Sequence, residues 1–172
     1  MKNIIIVGNG SSLLDKENGS KIDSFDIVVR FNGFKINGFE KHTGTKTNIW
    51  YTVNMHHVRK INEFDRIIVH TWHWGLDDKI YQTLKASTNR PCTKTTREMV
   101  REIPLQSPPS TGLIAIHHLL KEHNKLTITG FDWWDREKHH YGDGERRGEF
   151  HKPKEEYAII HDLIRLGKVS FL

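Results

Sequence analysis

Three short polar clusters carry the residue types that hold a phosphorylated ligand: Gly8-Asn9-Gly10-Ser11-Ser12, Arg30-Phe31-Asn32 and Gly130-Phe131-Asp132-Trp133. Glycine lets backbone approach a ligand closely, and an asparagine amide both donates and accepts. A fourth cluster, Ser110-Thr111-Gly112, opens an apolar periodic stretch, and the unpaired N–H groups of a helix start suit a phosphate. Taken singly these are weak signals. Gly8-Asn9-Gly10 reads equally as a structural turn, and it lacks the third glycine of a dinucleotide fingerprint and the lysine of a P-loop.

The chain has twelve histidines. His70-Thr71-Trp72-His73, and His139-His140 with His151, are rich enough in imidazole to raise a metal site. No cysteine or clear acidic partner accompanies them at a known ligand spacing. Asp132-Trp133-Trp134-Asp135 is not an Asp-x-Asp metal pair, so no metal and no cofactor is expected. Trp72, Trp74, Trp133 and Trp134 suit either core packing, the default, or stacking on a sugar or base. Arg30 suits either an internal ion pair with Asp23, Asp26 or Glu40, or a ligand contact.

The elements that would position these residues follow from periodicity. Strands are expected at Lys2–Val7, Asp26–Phe31, Asn48–Val53, Arg66–His70 and Lys125–Thr129, with a closing strand at Val169–Leu172. Ser11 and Ser12 are expected to cap a short helix. Further helices are expected at Asp78–Lys85, at Thr95–Glu102, and from Ser110 with Leu113, Ile116, His117 and Leu120 on one face. A last helix starts at Pro153, carries Tyr157, Ile160, Leu163 and Ile164, and stops at Gly167. Strands interleaved with helices predict an α/β fold, a Rossmann-like domain with a mainly parallel sheet flanked by helices. In such sheets ligands bind beyond the carboxyl ends of the strands, where three of the four clusters fall.

The length, 172 residues, fits one domain spanning 1–172. Hydrophobic residues make up 36% and charged residues 27%, which excludes a disordered chain. No stretch approaches a membrane span, and Met1–Gly8 reads as a buried strand, not a signal peptide. Cys92 is the only cysteine and is expected in a loop after Pro91; a cytoplasmic location follows. The net charge of +5 suits an anionic partner: a nucleotide sugar, an acidic glycan, a membrane surface touched peripherally, or nucleic acid. Lys and Arg are scattered and no RNP or Gly-x-x-Gly pattern is present, so nucleic acid is not expected. Nothing in the sequence sets the oligomeric state.

The clusters gain meaning from their order. Val7-Gly8-Asn9-Gly10-Ser11-Ser12-Leu13, then Ile22-Asp23-Ser24-Phe25-Asp26, Val29-Arg30-Phe31-Asn32, Gly38-Phe39-Glu40 and Gly44-Thr45-Lys46-Thr47, resemble the long sialylmotif of the family 29 sialyltransferases. Pro109-Ser110-Thr111-Gly112 followed by Gly130-Phe131 resembles the small motif. His140-Tyr141-Gly142-Asp143 is similar to the third motif. His151 and Glu156, with four residues between them, match the very-short motif. A weaker resemblance is to the family 42 bacterial sialyltransferases. The cysteine pair that family 29 joins between its long and small motifs is absent here.

The resemblance implies a variant GT-A type fold and an inverting transfer of a sialic acid, or a related acid such as Kdo, from a CMP-sugar donor to a glycan acceptor. It implies His151 as general base, since an ordinary imidazole titrates near pH 6.5. His140 would serve the phosphate or the leaving oxygen. Asn9, Gly10, Ser11, Asn32, Ser110, Thr111, Gly112, Gly130, Phe131 and Tyr141 would bind the CMP portion. Glu156 is expected to complement the first turn of its helix rather than to act in catalysis. The competing class is a non-catalytic basic nucleotide- or RNA-binding module.

Overall fold

The computed structural model describes residues 2–70, 78–133, 140–141 and 151–172. Trp72, Trp74, Trp134, His73, His139, and Gly142 and Asp143 of the third motif lie outside the described residues. In chain order the strands are β1 (Ile4–Val7), β2 (Ile27–Phe31), β3 (Ile49–Thr52), β4 (Arg66–Val69), β5 (Cys92–Lys94), β6 (Leu126–Thr129) and β7 (Val169–Phe171). The helices are α1 (Gly19–Asp23), α2 (Glu40–Thr43), α3 (Lys79–Ser87), α4 (Arg97–Arg101), α5 (Thr111–Glu122) and α6 (Pro153–Arg165), with 3₁₀ turns at Ser11–Asp15 and Val58–Glu63.

The seven strands form one sheet in the order β5-β4-β3-β2-β1-β6-β7, and every pairing is parallel. The chain fills positions outward from β1 through β5, then returns to add β6 on the other side of β1. The expected α/β class with a parallel sheet therefore holds. Among the described residues no helix is long and apolar enough to cross a membrane.

Parallel strands covered on both faces lose the alternating pattern, and β1 reads Ile4-Ile5-Ile6-Val7, all buried. On one face Ile4, Ile6, Val29, Phe31, Tyr51 and Ile68 pack against Leu113, Ile114, Leu119 and Ile160 of α5 and α6. On the other face two clusters form. Ile5, Val7 and Val28 meet Leu13, Ile22 and Tyr141, while Trp50, Ile67 and Val69 meet Ile61, Phe64 and Leu84.

Arg30 sits at the seam. Its register places it between Val7 of β1 and Trp50 of β3, and it is 0% exposed. The guanidinium does not pair with Asp23, Asp26 or Glu40. Nε donates to the Lys46 carbonyl (3.0 Å) and Thr47 Oγ1 (3.1 Å), and Nη2 to the Thr43 carbonyl (2.5 Å). Burial pushes its pKa down to about 10, so it stays charged at neutral pH. Asp23 instead accepts the backbone N–H groups of Thr45 and Lys46, each at 2.9 Å. Gly44-Thr45-Lys46-Thr47 is thus tied from two sides as scaffold.

Two local expectations fail for physical reasons. Ser11 and Ser12 do not cap the first turn; its N-cap is Gly10, and both hydroxyls turn to Asp132. Cys92 lies not in a loop but in edge strand β5, whose order comes from pairing Cys92 with Ile67 rather than from a pattern of its own.

A polar chain runs from buried Tyr51 and His118 out to the surface at Arg66 and Glu122. Tyr51 Oη lies 3.5 Å from His118 Nδ1, and His118 Nε2 lies 3.5 Å from Glu122, which holds Arg66 bidentately at 2.6 and 2.9 Å. Burial lowers the pKa values of His118, of neighbouring His117 and of His57. When folded these imidazoles take up protons at lower pH than the unfolded chain, which does so near the ordinary value of about 6.5. Stability is then complete above that value and declines as pH falls through it. Urea titrations from pH 8 to pH 5 are expected to show a falling midpoint, and a flat profile would contradict the assignment.

Candidate functional site

The sequence clusters meet along the carboxyl edge of β1, β2 and β6. This is where the strand order reverses, the place at which open α/β sheets form a crevice. The turns after β1 and β6 are locked together: Gly8 N–H donates to the Thr129 carbonyl (2.8 Å) and Gly10 N–H to the Gly130 carbonyl (2.9 Å). A Cβ on Gly8 would lie 2.2 Å from the Gly130 carbonyl oxygen. Gly8 therefore serves an approach of backbone to backbone, not the approach to a ligand expected from sequence. Gly112 answers a similar need, since a Cβ there would meet the Phe131 ring at 2.7 Å.

Asp132 completes the lock. Its carboxylate accepts Ser12 N–H (3.1 Å), the Ser12 hydroxyl and the Ser11 hydroxyl (3.4 Å). The Ser11 side chain is committed to this contact. Sequence reasoning set Asp132 aside after rejecting the metal motif; its position one residue after Gly130-Phe131 was the signal available.

Asn9 follows β1 with its amide Nδ2 donating to the Phe31 carbonyl at 3.3 Å. Its Oδ1 is buried and has no partner among the described residues. A buried acceptor of this kind costs about 1–3 kcal/mol unless a donor reaches it, so it suits a ligand hydroxyl or N–H. Asn32 is different. It holds φ 45°, its Oδ1 accepts Val53 N–H (2.9 Å), and its carbonyl accepts the Trp50 indole N–H (2.9 Å). The Asn32 side-chain carbonyl thus shapes the β2–β3 edge.

The His140-Tyr141 pair lies against the same turn. Tyr141 N–H donates to the Asn9 carbonyl at 3.0 Å, and its hydroxyl donates to the Lys35 carbonyl at 2.6 Å. Tyr141 is 3% exposed, so it anchors rather than presents itself, and His140 beside it is half-buried.

The start of α5 is held from the far end of the chain. Ser110 caps it by accepting Leu113 N–H at 3.2 Å. Glu156, 2% exposed in the first turn of α6, accepts both Ser110 N–H (2.7 Å) and the Ser110 hydroxyl (2.6 Å). The structural role expected for Glu156 is present, but through a cross-chain tie that local sequence does not reveal. The Ser110 hydroxyl is committed to it, while Thr111 and Gly112 form the half-buried first turn. His151 sits beside them with Nδ1 3.0 Å from the Pro108 carbonyl. A carbonyl only accepts, so Nδ1 carries the proton and the neutral ring's lone pair lies on Nε2.

Residues 1–72 match the model of glycosyltransferase family 29 (sialyltransferase). A CMP-N-acetylneuraminate-beta-1,4-galactoside alpha-2,3-sialyltransferase of Homo sapiens is 44% identical over 62 residues, which is 36% of this chain and 16% of that protein. The matched stretch is thus about a sixth of that relative's length. A CMP-N-acetylneuraminate-beta-galactosamide-alpha-2,3-sialyltransferase 4 of Rattus norvegicus is 24% identical over 210 residues, covering 98% of this chain and 63% of that one. The crystal structure of a mammalian sialyltransferase superposes with a TM-score of 0.76 at 20% identity, over 99% of this chain and 68% of that one.

The Ser110–Glu156 tie yields a direct test. Glu156→Ala strands a half-buried N–H and a half-buried O–H, and is expected to lower stability by about 1–3 kcal/mol in urea denaturation. Glu156→Gln keeps one acceptor and should lose less. Equal, negligible losses would remove the tie from the fold's support.

Proposed function

From a chain that resembles family 29 in the sequence of residues 1–72 and the sialyltransferases in its whole fold, we propose a CMP-sugar-dependent glycosyltransferase. It moves a sialic acid to a glycan hydroxyl with inversion at the anomeric carbon. Galactosides, the acceptors in the relatives' names, are the first to try.

The observation that carries this reading is the orientation of His151. The Pro108 carbonyl, 3.0 Å from Nδ1, accepts the proton of that nitrogen, which supports Nε2 as the basic atom. In the proposed step Nε2 takes the proton of the acceptor hydroxyl as its oxygen bonds to the anomeric carbon. The bond from that carbon to the CMP phosphate oxygen breaks, and its electrons leave on CMP. His140 and the first-turn N–H groups of α5 are assigned to the developing charge on the phosphate. Asn9 Oδ1 is assigned to a hydroxyl or amino group of the nucleotide. No metal enters this scheme.

Two measurements test it. CMP should raise the melting temperature while UDP, GDP and ADP do not; a ligand at about 100 times its dissociation constant adds about 2.7 kcal/mol. Asn9→Ala should weaken CMP binding without loss of fold. A UDP preference would remove the sialyltransferase reading.

The second measurement is turnover with CMP-sialic acid. His151→Ala should leave CMP affinity nearly intact and cut kcat by about 10²–10⁴-fold, the usual effect of a positioned base. His140→Ala should weaken both. Equal turnover by wild type and His151→Ala would sink the base assignment. CMP binding without turnover in wild type would favour a nucleotide-binding module.

A further inference from the structure

A cavity of about 480 Å³ is lined by residues that follow β2 and β3. It lies between the segment after β2 and the 3₁₀ turn Val58–Glu63, against the Trp50 cluster. Its size falls within the roughly 300–1,000 Å³ of small-ligand sites.

Its chemistry is mixed in a specific way. Phe34 and Phe64 form an apolar wall, 7% and 4% exposed. The His57 ring stacks on Phe34 with centroids 4.4 Å apart and planes 21° apart. His57 also hydrogen-bonds the Phe34 backbone, while its Nε2 is buried and has no partner among the described residues. Desolvation, with nearby His56 and Lys60, lowers its pKa and so favours the neutral ring. With Nδ1–H on the carbonyl, Nε2 is an acceptor in need of a donor. Thr47 offers the complement: its Oγ1 accepts from Arg30, and its hydroxyl proton remains to be donated. Lys60 brings positive charge to the cavity mouth, opposed there by Glu63 and joined by Lys35.

We propose that this cavity is a second ligand site for a small polyhydroxylated anion, an acidic sugar. The sugar's hydroxyls meet His57 Nε2 and Thr47, its less polar side packs against the Phe34 and Phe64 wall, and its charged group faces Lys60. The lining includes none of the residues assigned to CMP, and the proposal does not rest on the donor reading. The shared ligand chemistry is an anionic sugar, whether the charge is a carboxylate or a phosphate.

The test uses the full chain with three probes: N-acetylneuraminic acid, glucose 6-phosphate and galactose. Calorimetry measures affinity, and ¹⁵N-detected NMR follows His57 Nε2. Binding of either acid, with a shift of the Nε2 resonance and no displacement by CMP, is expected; which acid binds names the charge. Galactose should bind more weakly than both. His57→Phe keeps the ring stack and removes the nitrogen, and should weaken binding about five- to tenfold, the loss of one hydrogen bond. Lys60→Met, at an exposed position, should weaken it further in low salt and serves as the deciding variant if His57→Phe does not fold. Galactose binding as tightly as the acids, displacement of the acid by CMP, or wild-type affinity in both variants would overturn the proposal. So would a failure of all three probes to bind. CMP binding measured beside these keeps the two readings apart: acid binding without CMP binding supports this cavity and removes the donor reading, and the converse removes only the cavity.

Discussion

The carboxyl edge depends on how closely two turns approach. β1 lies inside the sheet with β2 on one flank and β6 on the other, and the turns leaving β1 and β6 must share the space above it. Gly8 N–H reaches the Thr129 carbonyl and Gly10 N–H the Gly130 carbonyl, at distances that leave no room for a side chain at Gly8. Asp132 then gathers the serines that follow. With these contacts made, the Asn9 backbone is fixed, Tyr141 N–H can dock on the Asn9 carbonyl, and His140 is carried into place beside it.

Three polar groups of the fold share one device, a tie to backbone. Arg30 meets carbonyls and a threonine hydroxyl, Asp23 meets backbone N–H groups, and Glu156 meets the N–H and hydroxyl of Ser110. Such bonds fix loop geometry, because a carbonyl or N–H cannot turn away without moving the chain. The family-like segments Gly44–Thr47 and Pro109–Gly112 are held in this way, which makes part of each motif scaffold.

The strands with strong apolar runs were legible, because burial of both faces writes itself into composition. β1, β2, β4 and α5 fall within a residue or two of expectation, and Pro153 and Gly167 bound α6 as their chemistry requires. β5 was not legible: Cys92-Thr93-Lys94 has no pattern, and its order is imposed by β4. At the site, the clusters and their place at strand ends were readable, and the roles of individual atoms were not. Ser11, Ser110 and Arg30 offer the polar groups of ligand contacts, yet Asp132, Glu156 and the Thr43–Thr47 segment claim them. These partners lie 13 to 121 residues away, beyond any local pattern. The unpartnered Asn9 Oδ1 is likewise a property of packing alone.

The late return of β6 to the flank of β1 governs how the molecule is assembled. β1 through β5 can pair in order as the chain lengthens, each strand joining its predecessor after a modest loop. The open flank of β1 stays bare until residues 126–129 exist, more than a hundred positions later. Closing so wide a loop is entropically slow, and until it closes the most apolar strand of the protein is an exposed sheet edge. During synthesis on the ribosome, the growing chain therefore passes through a long interval in which β1 is open to pairing with other chains. The step that ends this interval is the one that first brings Gly8 against Gly130.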